Sequence, residues 1–112
     1  MSRSFDEIWK DILTIARSQT EIRTLVRKFL NFIINVNESK IVVQSKNTEN
    51  IRNLLKDDFQ YAWEKLVQYR KIILNDIEPE LRGRKSIIFS FLEKLDYVDY
   101  KIKPLTLLLK EK

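Results

Sequence analysis

Leu30-Asn31-Phe32-Ile33-Ile34-Asn35-Val36, then Asn37-Glu38-Ser39-Lys40, then Ile41-Val42-Val43-Gln44 is the stretch that decides the fold class. Leu30, Phe32, Ile34 and Val36 alternate with Asn31, Asn35 and Asn37, which is the period of a half-buried strand. β-Branched and aromatic side chains fill the stretch, and these suit a pleated surface. Asn37-Glu38-Ser39-Lys40 has the chemistry of a turn. The spacing predicts a hairpin with strands at 30–36 and 40–45. A short strand near 23–28 is expected before it. Ile22, Leu25, Val26, Phe29, Leu30 and Ile33 also satisfy helical spacing, so 22–33 fits either helix or strand.

Outward from the hairpin the pattern turns helical. Ser4-Phe5-Asp6-Glu7 is a capping box, with Ser4 as N-cap and Glu7 three residues on. Phe5, Ile8, Trp9, Ile12, Ile15 and Ala16 then form one stripe, predicting a helix at 5–17. On the other side, 46–53 is polar and loop-like. Ile51, Leu54, Leu55, Phe59, Ala62, Trp63, Leu66 and Val67 give a second stripe. That helix starts between Thr48 and Asp57 and ends near Tyr69-Arg70. Ile72-Ile73 reads as extended, and 74–77 as a brief helix capped by Asn75 and stopped before Pro79. Gly83 is the only glycine in the chain and marks a turn. Residues 85–95 form a third main helix, with Ile88, Phe91, Leu92 and Leu95 inward. Val98, Tyr100 and Ile102 alternate as a strand, Lys103-Pro104 turns, and 105–109 is a final strand. Leu105, Leu107, Leu108 and Leu109 make that strand apolar on both faces, so it is buried from both sides or paired with another chain.

The fold class is therefore α+β: an N-terminal helix and β-hairpin (1–55) packed on a second part (56–112). With 112 residues, one compact domain over 1–112 is expected. Its core gathers Phe5, Ile8, Trp9, Ile12, Ile34, Val43, Phe59, Trp63, Leu66, Ile77, Ile88, Phe91, Leu92 and Leu95. Both tryptophans lie on inner stripes and belong to packing.

Composition narrows the chemistry. The chain has no cysteine and no histidine. That removes disulfides, thiolate zinc sites, cysteine nucleophiles and imidazole acid–base catalysis. One glycine does not build a phosphate-cradling loop. Glu38-Ser39-Lys40 matches the Glu-x-Lys element of a common nuclease motif, but that element belongs on a core strand with a second acid nearby, and here it occupies a turn. No catalytic residue, metal or cofactor is expected, and the chain does not read as an enzyme. The net charge is +5, with the basic excess spread over both halves, which suits nucleic acid or an anionic surface. The N-terminus lacks the apolar stretch of a signal peptide, and no run reaches the roughly 18 apolar residues of a membrane span. A cytoplasmic protein without membrane contact is expected.

From residue 56 onward the order is long helix, short extended piece, short helix, turn, second helix, two strands. This order resembles the winged helix-turn-helix. The resemblance implies a recognition helix at 85–95 entering the major groove and a wing at 97–109. Arg82, Arg84 and Lys85 would add to the positive end of that helix. Ser86 and Ser90 would donate to phosphate or bases, and Lys101 and Lys103 would reach the flanking backbone from the wing. More weakly, Phe5-Asp6-Glu7-Ile8-Trp9, Thr24-Leu25-Val26-Arg27-Lys28, Ile41-Val42-Val43 and Asp58-Phe59 with Ala62-Trp63 are similar to small helix-hairpin units joined to winged-helix segments in prokaryotic restriction-type and other DNA-associated proteins. That likeness adds Arg27 and Lys28 as DNA contacts. The expectation is a non-catalytic duplex-DNA-binding protein, a regulator or accessory factor. The rival is a protein-interaction or dimerisation module using the same helix or the final leucine-rich strand, and a homodimer satisfies both.

Overall fold

The computed structural model describes residues 4–25, 28–74, 84–102 and 104–110. Helix α1 (Phe5–Arg17) starts where the capping pattern places it. Ser4 Oγ accepts the Glu7 N–H at 3.4 Å, and Asp6 and Glu7 face the positive end of the helix dipole. Ile8, Trp9, Ile12, Leu13 and Ala16 form its buried stripe.

Four antiparallel strands follow in chain order, β1 (Glu21–Arg23), β2 (Leu30–Val36), β3 (Lys40–Ser45) and β4 (Ile51–Leu55). The β2–β3 hairpin spans the expected residues. Asn37 Oδ1 closes its turn by accepting the N–H groups of Ser39 and Lys40 at 2.9 and 3.1 Å. Trp9 Nε1 donates to the Glu38 carbonyl at 2.8 Å, which pins α1 to the hairpin tip.

Four expectations in this half are corrected. The segment near 23–28 contributes only β1, which ends at Arg23; beyond it the chain turns, with Lys28 at φ 59°. Residues 51–55 are a strand, and the helix that follows starts at Lys56, inside the expected range. Ile51, Leu54 and Leu55 satisfy helical spacing, but only Leu54 is buried. Ile34 is not in the core, since it is 48% exposed. The register shifts between Ile33 and Asn35, so Ile34 and Asn35 both stand opposite Val42. Asn31, expected outward, is buried on the inner face. A one-residue change of phase exchanges the faces of a strand.

Helix α2 (Lys56–Tyr69) begins directly after β4. Asp58 Oδ2 accepts the Leu55 N–H at 3.2 Å, which anchors the first turn. The helix ends at Arg70 in the left-handed region, φ 65°. β5 (Lys71–Ile73), α3 (Lys85–Glu93), β6 (Val98–Lys101) and β7 (Thr106–Leu109) are the remaining elements among the described residues. The last three strands form a second antiparallel sheet in the order β5-β7-β6. β7 is thus the central strand, paired on both sides within its own sheet, and offers no edge to another chain. Helix α3 stops at Glu93, two residues short of expectation. The brief helix at 74–77 beyond Leu74, the Gly83 turn and core residue Ile77 lie outside the described residues.

One buried cluster takes residues from both sheets and from each of the three described helices. Aromatic contacts cross it in a line: Phe5–Trp9 at 6.2 Å, Trp9–Phe59 at 5.3 Å and Phe59–Phe91 at 6.0 Å between ring centroids. They join α1, α2 and α3 through offset and edge-on geometries that aromatic pairs favour. Tyr97 Oη donates to Asp11 Oδ2 at 2.9 Å, tying the approach to β6 back to α1. The architecture is mixed α+β, as the sequence implies. No described helix is long and apolar enough to cross a membrane.

Candidate functional site

The residues expected to contact DNA have different fates. Arg82, Lys103 and Arg27 lie outside the described residues. Arg84 is the N-cap residue of α3. Its Nε lies 3.3 Å from Asp58 Oδ2, with the two side chains 29% and 13% exposed. The guanidinium therefore ties the start of α3 to the first turn of α2. Lys85 and Ser86 are half-buried in the first turn of α3. Ser90 is 1% exposed, and its hydroxyl donates to the Ser86 carbonyl at 2.9 Å. It has no surface to offer phosphate or base, and its assignment to a DNA contact is corrected. Lys101 is exposed at the end of β6, and Lys28 is exposed at the start of the segment leading into β2.

Helix α3 itself departs from the expected recognition helix. Ile87, Ile88, Phe89, Ser90, Phe91 and Leu92 are all buried. A helix lying in a groove needs one solvent face, and six consecutive buried residues leave none over the middle turns. Elements packed on it include β1, α1 and β6. The N-terminal part thus covers the helix that the winged-helix resemblance assigns to DNA.

The surface that does stand out is the outer face of the β1–β4 sheet. Paired residues in an antiparallel sheet point to the same side. One row therefore carries Phe32, Gln44 and Ile51, paired in register. The next carries Ile34 and Asn35 with Val42 and Asn53, and the last pairs Lys40 with Leu55. Phe32, Ile34, Ile51 and Leu55 are all exposed, Ile51 by 59%. Val42 is shielded, yet it is not part of the core cluster. The opposite face holds Ile41, Val43 and Leu54, each fully buried. The sheet is apolar on both sides and covered on one.

The sequence contains a signal for this face. Ile33-Ile34 and Ile41-Val42-Val43 place apolar residues at both parities, which a strand with one wet polar face does not need. The alternation of Leu30, Phe32, Ile34 and Val36 conceals it, because the phase changes between Ile33 and Asn35.

A groove of about 610 Å³ runs beside α1, lined by Trp9, Lys10, Thr14, Arg17, Glu38 and Lys56 among others. Its charges are of both signs, and Lys56 there pairs with Asp6 at 3.5 Å. Among the described residues no cluster of three carboxylates or other metal-binding side chains occurs. Compared with known proteins, the chain matches no family model, no curated protein and no solved structure.

Proposed function

We propose that the chain is a non-catalytic protein-interaction module that binds through the outer face of the β1–β4 sheet. The observation that carries this is the exposed cluster of Phe32, Ile34, Ile51 and Leu55 on one side of a well-formed sheet. Apolar patches of this kind on a folded surface mark contact sites. Site-specific photo-crosslinking in the native host tests it. A photoreactive residue replacing Phe32 or Ile51 should give discrete protein adducts, and one replacing Glu64 on exposed α2 surface should not. Equal or absent adducts at all three positions would sink the assignment.

Duplex-DNA binding is the second reading. Supporting it are the net charge of +5, the element order from α2 to β7, and the exposed Lys101. Lys85 and Ser86 at the open end of α3 would replace the buried Ser90 as contacts. Binding to a random duplex across a salt series tests it. Affinity should fall steeply with salt, and a Lys85→Ala/Lys101→Ala variant should show a shallower slope. No binding at low salt excludes it.

A further inference from the structure

We infer that the occupant of the outer sheet face is a second copy of this chain, joined face to face about a two-fold axis. This rests on the interaction-face assignment above and names its partner.

Charge is the first reason. The chain as a whole is at +5, so two copies repel unless they meet where charge is sparse. The apolar centre of this face carries none. Its charges lie at the margins: Glu21 and Arg23 on β1, and Lys40 on β3. Arg23 is already engaged, its guanidinium donating to the Lys28 carbonyl at 3.4 Å. A strongly acidic partner or a nucleic acid would call for a basic face, and this one is nearly neutral.

Self-complementarity is the second reason. An isologous interface requires each feature of the patch to meet its complement in the same patch. Glu21 pairs with Phe32, whose other partner is Gln44. Lys40 lies on the same strand as Gln44, two outward rows away. Glu21 and Lys40 therefore occupy diagonal corners, about 10 Å apart across the strands and about 14 Å along them. The middle of that diagonal falls on β2, one row from Phe32, at Ile34. A two-fold axis in the plane of the interface, perpendicular to the diagonal at Ile34, exchanges the corners. Glu21 of each copy then meets Lys40 of the other, and Ile34 and Ile51 lie close to the axis, each against its own counterpart.

Size sets the strength. Four strands and three outward rows span about 20 by 20 Å. Two such faces bury roughly 800–1,000 Å² in total, below the ~1,600 Å² of a standard stable interface. The dimer is thus weak and reversible, forming as concentration rises.

Sedimentation equilibrium over a wide range of protein concentration tests this. The apparent mass should climb from one copy toward two. Ile34→Lys should hold the chain monomeric at the highest concentration, with its circular dichroism unchanged. Glu21→Lys alone and Lys40→Glu alone should each weaken the dimer about tenfold, because two symmetric pairs become like-charged. The double reversal Glu21→Lys/Lys40→Glu should restore it, and this variant alters no buried residue. A parent chain that is monomeric throughout, a dimer that survives Ile34→Lys, or a double reversal no better than either single one overturns the proposal. Crosslinks from Phe32 to a different protein, with the chain itself monomeric, overturn the dimer and leave the interaction face standing. Absence of any adduct removes both.

Discussion

Helix α3 and the β1–β4 sheet are both apolar on more than one side, and the fold treats them in opposite ways. Every residue from Ile87 to Leu92 is buried, whereas Phe32, Ile34, Ile51 and Leu55 meet solvent. The difference follows from layering. A helix is a rod, and α1, β1 and β6 all reach α3. A sheet has two faces, and here the core cluster takes only one of them. Apolar sequence by itself does not separate interior from contact surface. What separates them is how many neighbouring elements the fold can bring to each face.

The sharpest way to break this comparison is a pair of phenylalanine truncations. Phe91 is fully buried and meets Phe59 edge-on at 6.0 Å. Phe91→Ala should cost about 3–5 kcal/mol, through lost transfer energy and a cavity. Phe32 is 38% exposed, and Phe32→Ala should cost under about 1 kcal/mol. Equilibrium unfolding in urea reads both. Equal losses would mean that Phe32 belongs to the fold and that the outer face is not a free surface.

The next effect concerns Asp58, which decides whether Arg84 serves the fold. Its Oδ2 accepts the Leu55 N–H and forms an ion pair with the Arg84 guanidinium, Nε at 3.3 Å. Asp58→Ala removes the acceptor of the Leu55 N–H and the carboxylate beside Arg84, in a site where that carboxylate is 13% exposed. A loss of about 2–3 kcal/mol is expected. A double-mutant cycle with Arg84→Ala isolates the ion pair. Coupling of about 1 kcal/mol would fix Arg84 as a joint between α2 and α3. Zero coupling would return it to the surface and strengthen the DNA reading.

Much of the fold was legible in local chemistry. The Ser4 cap, both strands of the hairpin and the buried stripe Phe59, Ala62, Trp63 and Leu66 depend on neighbours a few residues away, and the structure keeps them. What escaped depends on partners distant in sequence. β4 is a strand because β3 lies beside it, though its spacing also fits a helix. An irregularity in the pairing of β2 with β3 puts Phe32 and Val36 on opposite faces, and no residue in 30–36 announces it. Ser90 looked polar and outward on a helical wheel. The Ser86 carbonyl takes its hydroxyl, and buried residues on either side leave it 1% exposed. The basic cluster at 82–85 drew attention as a site, yet Arg84 is committed to Asp58. On the apolar outer face, Ile34 has the alternation of a core residue and yet is 48% exposed.

A smaller effect calibrates the local part. Ser4 Oγ accepts the Glu7 N–H in an exposed first turn. Ser4→Ala should cost about 1 kcal/mol, read as a shift of the urea midpoint with an unchanged slope. A larger loss would mean that α1 nucleates packing beyond its own cap.

The smallest change in stability should come from the most exposed large apolar side chain, and it bears hardest on the comparison. Ile51 is 59% exposed at the start of β4. Threonine keeps the β-branch that strands favour and removes only apolar surface. Ile51→Thr should therefore leave the unfolding free energy within about 0.5 kcal/mol of the parent. Association is the property it should move, because its apolar contact is then lost from both copies at once. Sedimentation should show the monomer persisting to higher concentration while the urea curve of dilute protein stays in place. Stability and association moving together would mean that Ile51 is packed within its own chain. Association moving alone would show that this sheet keeps apolar residues on its open side for a partner, unlike α3, whose apolar residues all serve its own fold.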